Sequence, residues 1–372
     1  MRWRMMPDGC DERNTCRTAT IWSKNVHVCV LVKKYAAFRG VSRMELSFLD
    51  DPTGAVLAPM TGVTDAGFRR SAEHFGASLV VSEMVASDEL AKGAPEALLR
   101  AEGDGIATHV VQLAGCEARW MAEGARMAEQ GGADILDINM GCPAKRVTNG
   151  WSGSALMRDL DHASRLIEAT VAATSRPVTL KMRLGWDDAS LNAPELARRA
   201  QSLGVRLVTV HGRTRSQFYK GSARWGLVRE TVKATRLPVV VNGDIASLAD
   251  AREALGQSGA RAVMIGRAAL GRPWLVGAVA AGLRGERWAA PTKAAMAAAA
   301  AAHYESLLTA FGRAQGLRHA RKHVVAYLEE AGRLGSPQAA ATRARLCRSD
   351  DPDEVRQGLV DAFMDGPAAM AA

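Results

Sequence analysis

Asn139-Met140-Gly141-Cys142-Pro143 places a cysteine directly after the apolar run Ile135-Leu136-Asp137-Ile138. Such a run reads as a buried parallel strand. A thiol in the loop beyond it can donate a proton or attack an electrophile, whereas a thiol inside a strand mostly packs. Cys142 taken alone is equally compatible with a buried structural cysteine, and it is the company it keeps that favours chemistry. Seven further apolar runs end in polar or reactive groups: Pro59-Met60-Thr61, Ser82-Glu83-Met84, Gln112, Lys181 with Arg183, His211-Gly212-Arg213, Asn242-Gly243-Asp244 and Gly266-Arg267. Polar residues are expected wherever a strand leaves a core, but eight such ends converging on one mouth are what a catalytic barrel requires. Glycines beside helix starts at Gly243-Asp244 and Gly266-Arg267 suit a phosphate, since backbone N–H groups and a helix N-terminus favour negative charge and Arg267 adds a charge-assisted hydrogen bond. Tight turns alone would also account for those glycines. Lys181 and Gln112 carry groups suited to the oxygens and edge of a flavin ring, against the plainer alternatives of a surface lysine and a core-edge glutamine.

The elements that must position these residues recur regularly. Strand-like runs are predicted at Ala55–Pro59, Leu79–Ser82, Thr108–Leu113, Ile135–Asn139, Val178–Met182, Leu207–Val210, Pro238–Val241 and Ala262–Ile265. Amphipathic stretches separate them, among them Ala118–Glu129, Asp161–Ala173, Pro194–Leu203, Leu227–Ala234 and Leu248–Leu255. Strands alternating with helices imply a parallel sheet, and eight units imply closure into a (β/α)8 TIM barrel. An open doubly wound sheet is the alternative, but the GxGxxG fingerprint of a dinucleotide site is missing. After Trp288 the pattern becomes helical only: an alanine-rich stretch from Ala294 to Ala302, then Leu317–Leu328 with Arg318, Arg321 and Lys322 at helical spacing. The expected organisation is an N-terminal extension (1–45), an α/β barrel (46–288) and a C-terminal α-helical domain (289–372) whose end from Pro367 is frayed.

Composition narrows the class. The 372 residues are 48% hydrophobic and 23% charged, as in ordinary globular proteins. Six cysteines at no paired spacing, with no signal peptide, lead us to expect reduced thiols and a cytoplasmic protein. No apolar run approaches the ~20 residues that span a bilayer. The net charge of +9 looks like a nucleic-acid signal, yet residues 1–43 hold nine Lys/Arg against three Asp/Glu, leaving 39 basic against 36 acidic residues beyond them. Any argument for RNA therefore rests on local clusters. The basic extension contains Asp8, Asp11 and Glu12, which spoil a transit-peptide composition. Its Cys10, Cys16, His27 and Cys29 match no zinc spacing, and no metal is expected. Met44-Glu45-Leu46 reads as an alternative start, so the extension is expected to be disordered or poorly packed.

The ordered set of motifs resembles the tRNA-dihydrouridine synthases, and among them the bacterial B-type branch. It comprises Leu57-Ala58-Pro59-Met60-Thr61-Gly62-Val63-Thr64-Asp65, Val111-Gln112-Leu113-Ala114-Gly115, Asn139–Pro143, Leu180-Lys181-Met182-Arg183 and Val210-His211-Gly212-Arg213-Thr214-Arg215. Asn242-Gly243-Asp244, Gly266-Arg267, Gly271-Arg272-Pro273-Trp274 and His319-Ala320-Arg321-Lys322-His323 complete it. The resemblance spans roughly residues 46–330. It implies an enzyme that binds FMN, draws electrons from NADPH and reduces one D-loop uridine of tRNA, position 17 being favoured. It places FMN at Pro59, Met60, Thr61, Gln112, Lys181, His211, Asn242, Gly243, Asp244, Gly266 and Arg267, and the catalytic thiol at Cys142. Asn139 and Arg183 are expected near the uracil, and Arg318, Arg321 and Lys322 on the tRNA phosphates. No membrane and no obligate protein partner are implied. Asn149 and Trp151, after the cysteine, are less typical of the family. Saturating the 5,6 double bond of uracil needs a hydride at C6 and a proton at C5 from the opposite face, and a thiol, mostly protonated at neutral pH, suits the proton transfer. Two other readings are a small-molecule flavin reductase on the same barrel and an inactive RNA-binding regulator.

Overall fold

Strand periodicity, carried by β-branched and aliphatic residues, becomes eight parallel strands closed into a barrel in chain order: β1 (Ala55–Leu57), β2 (Leu79–Ala86), β3 (Val110–Ala114), β4 (Ile135–Met140), β5 (Val178–Arg183), β6 (Leu207–His211), β7 (Val239–Asn242) and β8 (Ala262–Ile265), with β8 pairing back onto β1. The computed structural model describes residues 47–50, 52–332 and 337–365. The expected N-terminal extension, with its cysteines, and the expected frayed end lie outside the described residues.

Alternation along each strand sorts side chains between two environments. Leu136, Ile138 and Met140 on β4, and Val178, Leu180 and Met182 on β5, face outward into the apolar layer beneath the helices. Inward positions form a second cluster at one end of the lumen, including Val56, Val81, Val110, Ile135, Leu207 and Val240. Toward the C-terminal end the inward positions turn polar: Ile135 gives way to Asp137 and Asn139, and β5 presents Thr179, Lys181 and Arg183. Register brings these together, pairing Gln112 with Asp137, Asp137 with Thr179 and Asn139 with Lys181.

The helices fall close to their expected places: Ala118–Gln130, Leu160–Ala172, Ala193–Ser202, Trp225–Ala234 and Leu248–Ser258. Side chains cap several N-termini, Asp159 accepting from His162 N–H and Ser247 from Asp250 N–H. Two elements differ from expectation. β2 continues to Ala86 instead of ending at Ser82, through a shift of register between Val81 and Met84 that marks a bulge. The alanine-rich and basic segments are one helical element, Lys293–Glu330, kinked at Gly312. With Pro337–Arg348 and Pro352–Met364 it encloses its own apolar cluster around Trp274, Tyr304, Tyr327, Leu359 and Phe363. Trp274 opens the helix that follows β8, so barrel and C-terminal helices share this packing.

A polar anchor also joins them. Asp65 caps the helix Ala66–His74 by accepting from Phe68 N–H at 3.1 Å, and its other oxygen lies 3.1 Å from His303 Nε2. His303 Nδ1 is 3.0 Å from the Tyr327 hydroxyl. Burial works to raise the Asp65 pKa, yet the His303 and His323 rings and the Phe68 N–H outweigh it and hold the carboxyl well below the usual range. His323 Nε2 is 3.8 Å from Asp65, beyond hydrogen bonding, and neither of its buried ring nitrogens has a partner among the described residues.

Burial, and then His303 beside it, push the His323 pKa down to about 3. A free histidine titrates near ~6.5, so below that pH the unfolded chain takes up a proton that the folded chain refuses. The unfolding free energy from urea titrations should therefore fall as pH drops from about 6.5 toward 3, by at most about 1.4 kcal/mol per pH unit for this ring. His323→Asn should flatten that slope, and a variant with the wild-type slope would assign the acid sensitivity elsewhere.

Candidate active site

The C-terminal mouth of the barrel opens into a cavity of about 910 Å³ to which the end of every strand contributes. Pro59, Met60 and Thr61 come from β1, Met84 from β2, Gln112 from β3, Asn139 and Cys142 from β4, Lys181 and Arg183 from β5 and His211 from β6; Asn242, Gly243 and Asp244 follow β7, and Gly266 and Arg267 follow β8. All the residues expected at a cofactor, and the cysteine, thus line one space. Arg318, Arg321 and Lys322 do not. All three are exposed on the long helix, and Lys322 also lies near Glu83 and Asp65 of the barrel.

The cysteine loop is held by a chain of hydrogen bonds that begins inside the barrel. Asp137 accepts from Thr179 Oγ1 at 2.6 Å and from Gln112 Nε2 at 2.6 Å. Gln112 Oε1 then accepts from Asn139 Nδ2 at 2.7 Å. Asn139 Oδ1 in turn accepts the N–H groups of Gly141 and Cys142 at 3.1 and 3.0 Å. Arg183 fixes the same loop from the other side, its Nε donating to the Gly141 carbonyl at 2.8 Å and its Nη1 to Thr214 and Phe218 carbonyls at 2.9 Å each. The Cys142 carbonyl accepts from Ser154 N–H and hydroxyl at 3.0 and 2.8 Å. Gly153, at φ 60°, lies so close that a Cβ there would meet that carbonyl at 2.8 Å, which explains the glycine. Gln112, Asn139 and Arg183 therefore serve the protein's own backbone and side chains, in addition to facing the cavity.

Charge is arranged with equal care. Burial, and then Arg183, lower the Lys181 pKa to about 8, with Asp137 and Cys142 opposing. Lys181 Nζ has no hydrogen-bond partner among the described residues. Burial raises the Asp137 carboxyl against its two hydrogen bonds and Lys181. His211 is pushed far below its ordinary value by burial and then by Arg183, Lys181, Arg213 and Arg267, so it is a neutral imidazole, and its buried Nδ1 is unpartnered. Beyond β7, Asp244 lines the cavity at φ 54°, its carboxylate pairing with Arg213 Nη1 and Nη2 at 2.8 and 2.5 Å and with Ala223 N–H at 2.8 Å. Asn242 Nδ2 ties β7 to the Met264 carbonyl of β8 at 2.8 Å.

Sequence reasoning missed several participants. Arg213 was visible only as a strand end, and its pairing with Asp244 depends on two loops meeting. Asp137 sat inside an apolar run, and an acid in such a run was the signal that a buried partner waits for it. Thr179 and Tyr219 carried no local signal.

With this geometry in place, comparison with known proteins decides the lineage. The dihydrouridine synthase (Dus) family model matches residues 56–365. The chain belongs to the dihydrouridine synthase family. It is 52% identical over 308 residues to a probable tRNA-dihydrouridine synthase of Rhizobium leguminosarum bv. phaseoli, covering 83% of this chain and 94% of that one. A Rhodobacter capsulatus protein of the same description is 49% identical over 325 residues, covering 86% and 97%. A tRNA-dihydrouridine synthase B of Xanthomonas axonopodis pv. citri is 46% identical over 300 residues, covering 80% and 89%. This dihydrouridine synthase is accordingly an enzyme, and no helix among its described residues is long and apolar enough to cross a membrane.

Replacing Asn139 with alanine removes the acceptor of two loop N–H groups and the donor to Gln112. We expect Asn139→Ala to lose about 1–3 kcal/mol of stability in urea titration and to expose Cys142 to faster modification by a disulfide reagent, measured against a Cys142→Ala background. An unchanged modification rate would show that the loop is held without Asn139.

Proposed function

We propose that this chain is an FMN-dependent tRNA-dihydrouridine synthase that reduces the 5,6 double bond of a D-loop uridine, with NADPH as reductant. The observation that carries the reading is the single cavity fed by all eight strand ends and lined by Cys142, Lys181 and the glycine loops after β7 and β8. Its ~910 Å³ lies in the range of small-molecule and cofactor sites. The protein groups left open there fit a flavin phosphate: the buried His211 Nδ1 has no partner, and the N–H groups of Gly243 and Asp244 donate to no acceptor among the described residues. An aspartate at a phosphate site would repel it, but Arg213 pairs with that carboxylate and offsets its charge. Lys181 and Gln112 would hold the ring, and Gly243, Asp244, Gly266 and Arg267 the phosphate, with Pro59, Met60, Thr61, His211 and Asn242 shaping the pocket. Bound FMN supplies the hydride that the uracil receives at C6.

The chain's own residues carry the rest. Cys142 delivers the proton to C5, its position fixed by Asn139 and Arg183. Lys181, largely protonated at neutral pH, stabilises negative charge developing on the base carbonyl. A paired or stacked uridine cannot reach such a recess, so the base must be flipped out. The barrel (46–288) performs the reaction in this reading, and the helices (289–372) hold the tRNA, with Arg318 and Arg321 on its phosphates.

The decisive experiment incubates the protein with NADPH and tRNA lacking dihydrouridine, then maps dihydrouridine by nucleotide; one modified D-loop site is expected. Absence of product from a yellow, NADPH-reducible protein would favour a small-molecule reductase. Cys142→Ala should keep its flavin yet lose about 10²–10⁴-fold in turnover, and wild-type rates would remove the thiol from the reaction. Arg318→Glu with Arg321→Glu should weaken tRNA binding in gel-shift titrations and reduce its salt dependence at unchanged flavin content; unchanged affinity would leave those residues as a solvated face.

A further inference from the structure

Two aromatic residues at the mouth are held where an aromatic residue rarely sits. Trp151, in the loop that begins with Cys142, is 60% exposed at φ 57°. Phe218, in the loop after β6, is 40% exposed at φ 55°. Left-handed backbone at a bulky residue is a strained state that persists only where the surroundings hold it, and such strain gathers at functional sites. Water would ordinarily drive such rings inward, so a strained backbone that keeps them outside points to an external partner.

The cations around them form a pattern. Arg158 lies over Trp151 at 5.6 Å and over Trp186, in the loop after β5, at 4.9 Å. Arg215 covers Trp186 at 4.6 Å. Phe218 packs edge-on against Tyr219 at 4.8 Å, and Tyr219 lies under Arg267 at 4.8 Å. Arginine and aromatic side chains thus alternate along the loops after β4, β5, β6 and β8, reaching the cavity at Tyr219. Neither Arg158 nor Arg215 has a carboxylate partner among the described residues. The nearby Asp188 pairs with Arg224 at 2.6 Å, and Asp187 is bonded within its own turn to Ser190.

We propose that this rim is a stacking platform for unpaired RNA, on which nucleobases flanking the reacting uridine lie against Trp151 and Phe218 while Arg158 and Arg215 meet the phosphates between them. Every base has a π-face and every linkage a negative charge, so alternating rings and guanidinium groups fit a splayed single strand. A protein partner would match the rings but leave the unpaired arginines to find acids at the same spacing. The platform rests on the reading of the chain as an RNA-modifying enzyme, and it assigns strand capture to the barrel rim in addition to the helices.

The test uses the full chain, an unmodified tRNA transcript and a uridine-rich single-stranded oligonucleotide of about ten nucleotides. Base stacking on an aromatic ring corresponds to about 5- to 150-fold in affinity. Trp151→Ala and Phe218→Ala should each raise the KM for tRNA within that range, with the loss in KM and not kcat, and weaken oligonucleotide binding alike. Trp151→Phe, which keeps a ring, should recover most of it, and Leu227→Ala, an exposed apolar control on the helix Trp225–Ala234, should change neither. RNA should quench tryptophan fluorescence less in Trp151→Ala than in wild type. Wild-type KM and oligonucleotide affinity in both alanine variants would overturn the platform, while dihydrouridine formation by the same samples would leave the enzymatic reading intact. Oligonucleotide binding lost in the variants of a protein that makes no dihydrouridine would keep the platform and retire the reaction. If Trp151→Ala instead dissociates a dimer in sedimentation without altering RNA binding, the rim is a protein interface and the inference falls.

Discussion

A carboxylate sealed inside the barrel sets the terms for everything at its mouth. Asp137 cannot be solvated where it stands, so it must be met by donors; Thr179 and Gln112 supply them, and the neighbouring Lys181 adds its charge. Satisfying Asp137 orients the Gln112 amide, which leaves its oxygen for Asn139, which in turn leaves its own oxygen for the Cys142 loop. Each link removes a rotational choice from the next. The reactive cysteine therefore inherits its position from a buried acid three residues before the end of its strand, and the loop needs no regular structure of its own to be rigid.

The same economy governs charge around the ligand space. Lys181, Arg183, Arg213 and Arg267 all approach it, and one acid, Asp244, is paired with Arg213. A protonated His211 would add to that positive field, and burial, with the field behind it, keeps the ring neutral. The result is a recess biased toward anions at its glycine loops and toward developing negative charge near Lys181, with an uncharged imidazole between.

Much of this was legible in the sequence, for identifiable reasons. The eight strands showed because each is a short aliphatic run between turn residues, and the mouth showed because inward positions change from apolar to polar at one end only. β2 was read short at Ser82 because a bulge depends on the neighbouring strand, which local pattern does not contain. The hydrogen-bond order through Gln112 and Asn139 depended on register across three strands, and the pairing of Asp244 with Arg213 on a meeting of two loops. Arg318, Arg321 and Lys322 read as one basic face at helical spacing, and the proximity of Lys322 to Glu83 and Asp65 had no local signal. Asp65 and His303 stand 238 positions apart, with nothing local to announce their pairing.

That pairing bears on how the molecule comes apart. Lifting the C-terminal helices from the barrel would part the buried Asp65 from the His303 and His323 rings and expose Trp274 and Phe363. Losses so tightly shared make partial detachment costlier than its apparent surface would suggest. Barrel and helices should thus melt as one cooperative unit, and amides in the helix Ala66–His74 and around Tyr327 should exchange with solvent at a common, global rate.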